Sequence, residues 1–141
     1  MNRHKGTVVL MITADAREAE CARDALREAA PDVTLRWAED RAAAMRLLRH
    51  ESAEEPGAGL IILDAVGEGI DTLMEIKADA VLKATPVIAL TGSEADVAAC
   101  YAAGANCCII KQHGIEQHER VMRGIGRFWL GTVRLPAVGR G

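Results

Sequence analysis

Five short runs of apolar residues, separated by segments with the apolar spacing of helices, constrain the fold of this chain more than any other feature. Such runs are typical of buried strands, and apolar residues three or four positions apart are typical of amphipathic helices. Their strict alternation favours an α/β fold, with a doubly wound parallel sheet covered by helices on both faces. Strands are predicted at residues 8–12, 33–37, 60–63, 86–90 and 107–110, and helices at about 16–30, 41–50, 71–80, 93–103 and 115–130.

Length and composition favour one globular domain. The chain has 141 residues, half of them hydrophobic, which is enough for one core but leaves no room for a second domain. We therefore predict a single domain over residues 1–141, in which residues 131–141 form a loose tail. The segment 33–37 alternates apolar and polar residues and is predicted to be a wetter edge strand.

Charge and cysteine content argue against several classes of function. A net charge of −3 disfavours a nucleic-acid partner, and no apolar run approaches the roughly 20 residues that span a membrane. The four cysteines lack the spacing of a zinc site, so we expect reduced thiols and a cytoplasmic protein. Cys107 and Cys108 are adjacent in a predicted strand and should point to opposite faces of the sheet.

Polar residues stand where the predicted strands end. Asp64 follows the third strand, Thr91 the fourth and Lys111 the fifth, and Asp15 comes shortly after the first. In doubly wound sheets, ligands bind beyond the carboxyl ends of the strands. A carboxylate can act as a nucleophile, a lysine and a hydroxyl can hold phosphoryl oxygens, and a second acid helps to bind Mg²⁺. We therefore expect these four residues to meet at one rim as a phosphoryl-transfer site.

The segments around these residues resemble the receiver domains of two-component response regulators. The similarity covers about residues 7–130, which we expect to be the core of the domain, and residues 126–130 further resemble single-domain regulators that partner phytochrome-type histidine kinases. The resemblance rests on the order and spacing of five segments: Leu60-Ile61-Ile62-Leu63-Asp64, Gly69-Ile70-Asp71, Val87-Ile88-Ala89-Leu90-Thr91, Gly104-Ala105-Asn106 and Lys111.

The resemblance implies a fold and a set of site residues. The fold is a flavodoxin-like sheet with strand order 2-1-3-4-5 and five helices. Asp64 would accept a phosphoryl group, and Thr91 and Lys111 would contact that group. The residues available to hold Mg²⁺ would be Asp64, Asp15 and Val66. The expected partner is a histidine kinase or a phosphotransfer protein, and the face formed by helix 4, strand 5 and helix 5 would allow a homodimer.

The sequence departs from the family pattern at four places. The acid pair that usually follows the first strand is replaced by Thr13 and Ala14, and the proline that usually follows the lysine is replaced by Gln112. Cys108 stands where the family has a switch aromatic, and Glu68 replaces a proline after the phosphoacceptor. Because Mg²⁺ needs several oxygen ligands in near-octahedral geometry, we expect Mg²⁺ binding to be weak or absent. Since aromatic residues make up only 3% of the chain, no other ring is expected to take the switch role, and partner binding should be largely constitutive.

Three functions remain open from the sequence. The first is a stand-alone receiver that takes up a phosphoryl group at Asp64, and the second is a pseudo-receiver that binds its partner without phosphorylation. Neither would be an enzyme. The third, a flavodoxin-like enzyme that binds FMN or a nucleotide, is disfavoured because residues 13–18 contain acids and no glycine to cradle a phosphate. His118 is expected to be a solvated side chain.

Overall fold

The sheet of the protein has five parallel strands in the order β2-β1-β3-β4-β5. The structure is a computed structural model, and it describes residues 6–49, 57–111 and 113–136. Every predicted strand is present within one residue of its predicted bounds, and the predicted strand order is confirmed. The strands are β1 (Val8–Ile12), β2 (Thr34–Ala38), β3 (Leu60–Asp64), β4 (Val87–Thr91) and β5 (Cys107–Ile110).

Five α-helices cover the two faces of this sheet. They are α1 (Ala16–Ala29), α2 (Arg41–Arg49), α3 (Gly69–Ala78), α4 (Val97–Ala102) and α5 (Ile115–Trp129). His50, where the second helix was predicted to end, lies outside the described residues, as do Gln112 and the part of the predicted tail beyond residue 136. None of the helices in the described part of the chain has the length and apolar character needed to cross a bilayer.

Two helices differ from the prediction at their ends. Helix α3 begins and ends two residues early, because the Asp79 carboxylate accepts the N–H groups of Val81 and Leu82 at 2.8 and 3.0 Å and starts a new turn. The segment predicted as one fourth helix begins with a 3₁₀ turn at Glu94–Asp96 before α4. There the Ser93 hydroxyl donates to the Asp96 carboxylate at 3.0 Å instead of capping backbone N–H groups.

The core lies in two layers, one on each side of the sheet. Alternate residues of the strands face α2, α3 and α4 on one side and α1 and α5 on the other. Cys108 packs on the first side and Cys107 on the second, which confirms their predicted orientation. The three middle strands are buried on both faces, whereas β2 alternates between buried and exposed residues as predicted for an edge strand.

Gly126 allows α5 to pack closely on α1. A Cβ atom at Gly126 would lie 2.7 Å from the Cβ atom of Ala29, whereas a Cβ atom at Gly124 would meet nothing within 4 Å. We expect Gly126→Ala to lower the free energy of unfolding by about 1–2 kcal/mol, because overpacking outweighs the gain in helix propensity. The matched variant Gly124→Ala should raise it by about 0.5–1 kcal/mol. Urea denaturation of both variants checks this, and a stabilising Gly126→Ala would contradict the close packing.

Beyond α5 the chain folds back toward the same layer. The backbone N–H groups of Thr132 and Val133 donate to the carbonyl of Phe128 at 3.0 and 2.8 Å. Leu135 packs, half-buried, against the core between α1, α5 and the sheet. Residues 131–136 therefore contact the domain over part of the segment that was predicted as a tail.

Candidate functional site

The carboxyl ends of β3, β4 and β5 bring three predicted site residues to one rim of the sheet. Asp64 pairs with Leu90 in β4, and Thr91, the next residue of that strand, pairs with Ile110 in β5. Lys111 follows directly, and its backbone N–H donates to the Thr91 carbonyl at 2.8 Å. The parallel register thus places the carboxylate, the hydroxyl and the ammonium on neighbouring strand ends.

Lys111 joins two carboxylates. Its Nζ atom lies 3.0 Å from Oδ2 of Asp64 and 2.9 Å from Oε2 of Glu18, a residue in the first turn of α1. All three side chains are partly buried, with exposed fractions of 25% for Lys111, 17% for Glu18 and 18% for Asp64. Hydrogen bonds between charged groups in such surroundings are shorter and stronger than neutral ones. The ammonium is therefore fixed over the predicted phosphoacceptor and shared with a second acid.

The hydrogen bonds to Glu18 and Asp64 keep the Lys111 side chain protonated. Burial alone would lower the pKa of its ammonium, but the hydrogen bonds to Glu18 and Asp64 more than offset burial and leave the pKa above its ordinary value. Lys111 is consequently a cation throughout the neutral pH range.

Thr13, which replaces one of the usual acids, lies between the same two carboxylates. Its Oγ1 atom is 3.3 Å from Oε1 of Glu18 and 3.5 Å from Oδ2 of Asp64, and it accepts the backbone N–H of Asp15 at 3.1 Å. A hydroxyl has one proton, so it donates to one carboxylate at a time. Thr13 thus supplies a neutral donor where the family has an acid.

Thr91 and Val66 reach the rim with different contacts. The Thr91 side chain is buried, and its hydroxyl donates to the Ser93 carbonyl at 3.4 Å rather than to Asp64. The backbone N–H of Val66 donates to Oδ1 of Asp64 at 3.0 Å. The two oxygens of Asp64 therefore have separate partners, Val66 on one side and Lys111 with Thr13 on the other.

The residues present fit a Mg²⁺ site poorly. The Asp15 carboxylate caps α1, where its Oδ1 atom accepts the N–H groups of Arg17 and Glu18 at 2.9 and 3.3 Å. Among the described residues, no three His, Cys, Asp or Glu side chains are grouped so that they could hold a metal ion. The space between Asp64 and its acidic neighbour Glu18 is bridged by the ammonium of Lys111. A divalent ion at Asp64 would meet the Lys111 ammonium on the same carboxylate oxygen and the neutral Thr13 in place of an acid, which disfavours binding.

A small cavity opens above Asp64. It has a volume of about 110 Å³, and its polar lining comprises Arg41 and four acids, Glu39, Asp40, Asp64 and Glu68, besides Thr13 and Thr72. Cofactor and drug-sized ligands occupy pockets of about 300–1,000 Å³, so this cavity is too small for FMN. The geometry at the rim consequently disfavours the flavodoxin-like enzyme.

A known regulator is similar to this chain over nearly its whole length. Response regulator Rcp1 of Synechocystis is 34% identical over 137 residues, which span 92% of this chain and 93% of Rcp1. The chain belongs to the response regulator receiver family. The flavodoxin-like fold and the two-component class inferred from the sequence segments are thereby confirmed.

Solved structures of this family superimpose closely on the receiver fold described here. The Mn²⁺-bound form of Rcp1 has a TM-score of 0.83 and 33% identity, and covers 93% of this chain and 99% of its own. The phosphorylated cyanobacterial phytochrome response regulator RcpA has a TM-score of 0.83 and 30% identity, with the same coverages of 93% and 99%. A search of protein-family models finds no match to this receiver.

Two residues at or near the receiver site, Glu18 and His118, were missed or misjudged from the sequence. Glu18 was not singled out, although it stands three residues after the Asp15 cap, where a side chain of the first helical turn can reach back to the strand ends. His118 is buried rather than solvated, and its Nε2 atom lies 3.1 Å from the Glu18 carbonyl because α5 packs on α1. A ring does lie beside Cys108, since the Tyr101 hydroxyl of α4 accepts its backbone N–H at 3.2 Å. That no ring takes the switch role stays a prediction.

Proposed function

We propose that Asp64 accepts a phosphoryl group from the phosphohistidine of a histidine kinase or a phosphotransfer protein. The observation that carries this proposal is the 3.0 Å contact between the Lys111 ammonium and Oδ2 of Asp64 at the carboxyl end of β3. An ammonium at this position neutralises charge that develops on a transferred phosphoryl group. The phosphorylated form of the relative RcpA supports the same chemistry in this chain.

The step is an in-line displacement at phosphorus. An oxygen of the Asp64 carboxylate forms a bond to phosphorus while the bond from phosphorus to the donor nitrogen breaks, and the electron pair of that bond leaves with the imidazole. With acetyl phosphate as the donor, the leaving group is acetate. Asp64 becomes an acyl phosphate, and the two negative charges of the phosphoryl group stay beside Lys111. The protein is thus a phosphoryl acceptor and a signalling module rather than an enzyme with a free substrate.

This transfer would depend only weakly on Mg²⁺. Relative Rcp1 has been crystallised with Mn²⁺, but here Thr13 and Ala14 replace the acid pair and Asp15 is engaged as the cap of α1. Asp64 and the Val66 carbonyl would remain as ligands, with Asp15 as a distant third. We expect the low charge of this ligand set to make phosphorylation slower than in receivers with two acids.

Phosphorylation of Asp64 is expected to change the partner-binding surface near α4 and α5 only slightly. In the family, a hydroxyl at the position of Thr91 moves toward the phosphoryl group, and an aromatic ring on strand 5 then turns into the space left behind. In this chain the position of that ring is taken by Cys108, whose small side chain cannot make the same movement. Partner binding would then be largely constitutive. The protein would act in the cytoplasm, and a homodimer could form through the α4–β5–α5 face. A local charge change alters a distant surface only where it biases an element with two arrangements.

A second candidate function, a pseudo-receiver that binds its partner without phosphorylation, is favoured by the carboxylate of Glu18. This acid occupies Lys111 at 2.9 Å and would compete with a phosphoryl group for the ammonium. The two candidates differ in one measurable property, which is covalent uptake of phosphate at Asp64.

Labelling with acetyl phosphate separates the two candidates. We expect the wild-type protein to gain one phosphoryl group, detected by intact-protein mass spectrometry, and Asp64→Asn to gain none because the amide is not a nucleophile. Asp71→Asn, which removes a nearby carboxylate of α3, is the matched control and should label like the wild type. Equal labelling of wild type and Asp64→Asn would exclude Asp64 as the acceptor, and no labelling of either would favour the pseudo-receiver.

A further inference from the structure

Glu18 is the acid that the family resemblance did not place at the site. Its carboxylate uses both oxygens there, one toward the Lys111 ammonium at 2.9 Å and one toward the Thr13 hydroxyl at 3.3 Å. The backbone of Glu18 is held as well, because its N–H donates to the Asp15 cap and its carbonyl lies 3.1 Å from Nε2 of His118. Glu18 is therefore held in the site by α1 and α5 and cannot be regarded as a freely moving surface acid.

We propose that Glu18 is a positioning residue that restrains phosphoryl uptake at Asp64 by holding the Lys111 ammonium in competition with the phosphoryl oxygens. The inference rests on the proposed function, since it requires Asp64 to be the acceptor. Under this proposal, α1 contributes to the reaction a residue that is neither the nucleophile nor a metal ligand.

The balance of charge around Lys111 sets the direction of the effect. Glu18, Asp64 and Lys111 together carry one net negative charge before transfer, and an incoming phosphoryl donor is itself an anion. The phosphoryl oxygens must draw the ammonium away from Glu18, and they meet the repulsion of that carboxylate as they approach. Removing the charge of Glu18 makes the cluster neutral and leaves Lys111 free to bind the phosphoryl oxygens.

Replacing Glu18 is therefore expected to speed phosphoryl uptake, whereas replacing a residue of a reaction site usually slows the reaction. Glu18→Gln keeps a polar side chain of the same length for Thr13 but removes the competing charge. We expect the rate of uptake from acetyl phosphate to rise about five- to thirty-fold, because like charges at contact range in a partly buried site repel appreciably. A residue that served only to support the fold would lower the rate when replaced.

The test uses the full chain and follows uptake by mass spectrometry over a series of acetyl phosphate concentrations. Glu20→Gln is the matched control, because Glu20 is an exposed glutamate of the same helix and its loss changes the net charge equally. Glu18→Asp keeps the charge on a shorter side chain, so its rate should lie between those of the wild type and Glu18→Gln. The advantage of Glu18→Gln should shrink at about 1 M salt, where charges are screened beyond roughly 3 Å. Urea midpoints confirm that each variant is folded.

Each outcome has a defined meaning. A faster Glu18→Gln, with Glu20→Gln near the wild type, Glu18→Asp slower than Glu18→Gln, and a gain that salt diminishes, supports the proposal. Uptake that Asp64→Asn abolishes but that Glu18→Gln leaves unchanged or slower overturns the role of Glu18 and leaves the acceptor in place. An equal gain in Glu20→Gln also overturns it, as a mere effect of net charge. Absence of uptake in both the wild type and Glu18→Gln overturns both this proposal and the proposed function.

Discussion

Replacing Lys111 with methionine is expected to lower phosphoryl uptake by more than about 100-fold, the usual effect of removing a preorganised donor from developing charge. The free energy of unfolding should also fall, by about 1–3 kcal/mol. The variant leaves the carboxylates of Glu18 and Asp64 facing each other without a counter-charge, and both are less than one-fifth exposed. Urea denaturation and labelling with acetyl phosphate measure the two effects separately.

A double variant distinguishes charge imbalance from lost packing. Adding Glu18→Gln to Lys111→Met removes one of the two facing carboxylates, so most of the lost stability should return, while uptake stays low because the ammonium is still absent. Lys83→Met is the control, because Lys83 is exposed and should tolerate the change within about 0.5 kcal/mol. Equal destabilisation in the single and double variants would mean that the two carboxylates do not interact as described.

Gly69→Ala is expected to disturb the site through the backbone. A Cβ atom at Gly69 would lie 2.2 Å from the carbonyl oxygen of Asp64, because α3 begins where β3 ends. Backbone atoms on both sides leave little room for relaxation, so we expect a loss of about 3 kcal/mol in the free energy of unfolding. The same shift would move Asp64 away from Lys111 and lower phosphoryl uptake.

Gly92→Ala is the matched control for this variant. Gly92 follows β4 at the same rim, but a Cβ atom there would make only an ordinary contact of 3.7 Å with Val66. Its stability should stay within about 0.5 kcal/mol of the wild type. If Gly69→Ala were as stable as Gly92→Ala, the close approach of α3 to the end of β3 would not constrain the site.

The fold and half of the site followed from local patterns. Strands were predictable within a residue because buried apolar runs mark them directly, and the meeting of Asp64 and Lys111 was predictable because parallel strands end at the same rim. Neither inference needs the packing of a helix, since pleat and register alone determine which residues end each strand.

The remaining half of the site depends on how helices sit on the sheet. Glu18 reaches Lys111 only because of the rotation of α1, and His118 is buried only because α5 packs on α1. The turn of the Thr91 hydroxyl toward Ser93 likewise depends on the 3₁₀ segment that follows it. Helical periodicity predicts which face is apolar, but it does not predict which polar residue at the margin of that face meets a strand end.

The contact between Tyr101 and Cys108 has a consequence for association with other chains. Strand β5 is the last strand on its side of the sheet, and the outer backbone groups of such a strand are a template for pairing with a foreign strand. The Tyr101 hydroxyl already accepts the backbone N–H of Cys108, so that donor is not available to an approaching strand. A tyrosine from a neighbouring helix thus removes one hydrogen-bond donor from the template that the edge strand Cys107–Ile110 offers to a foreign strand.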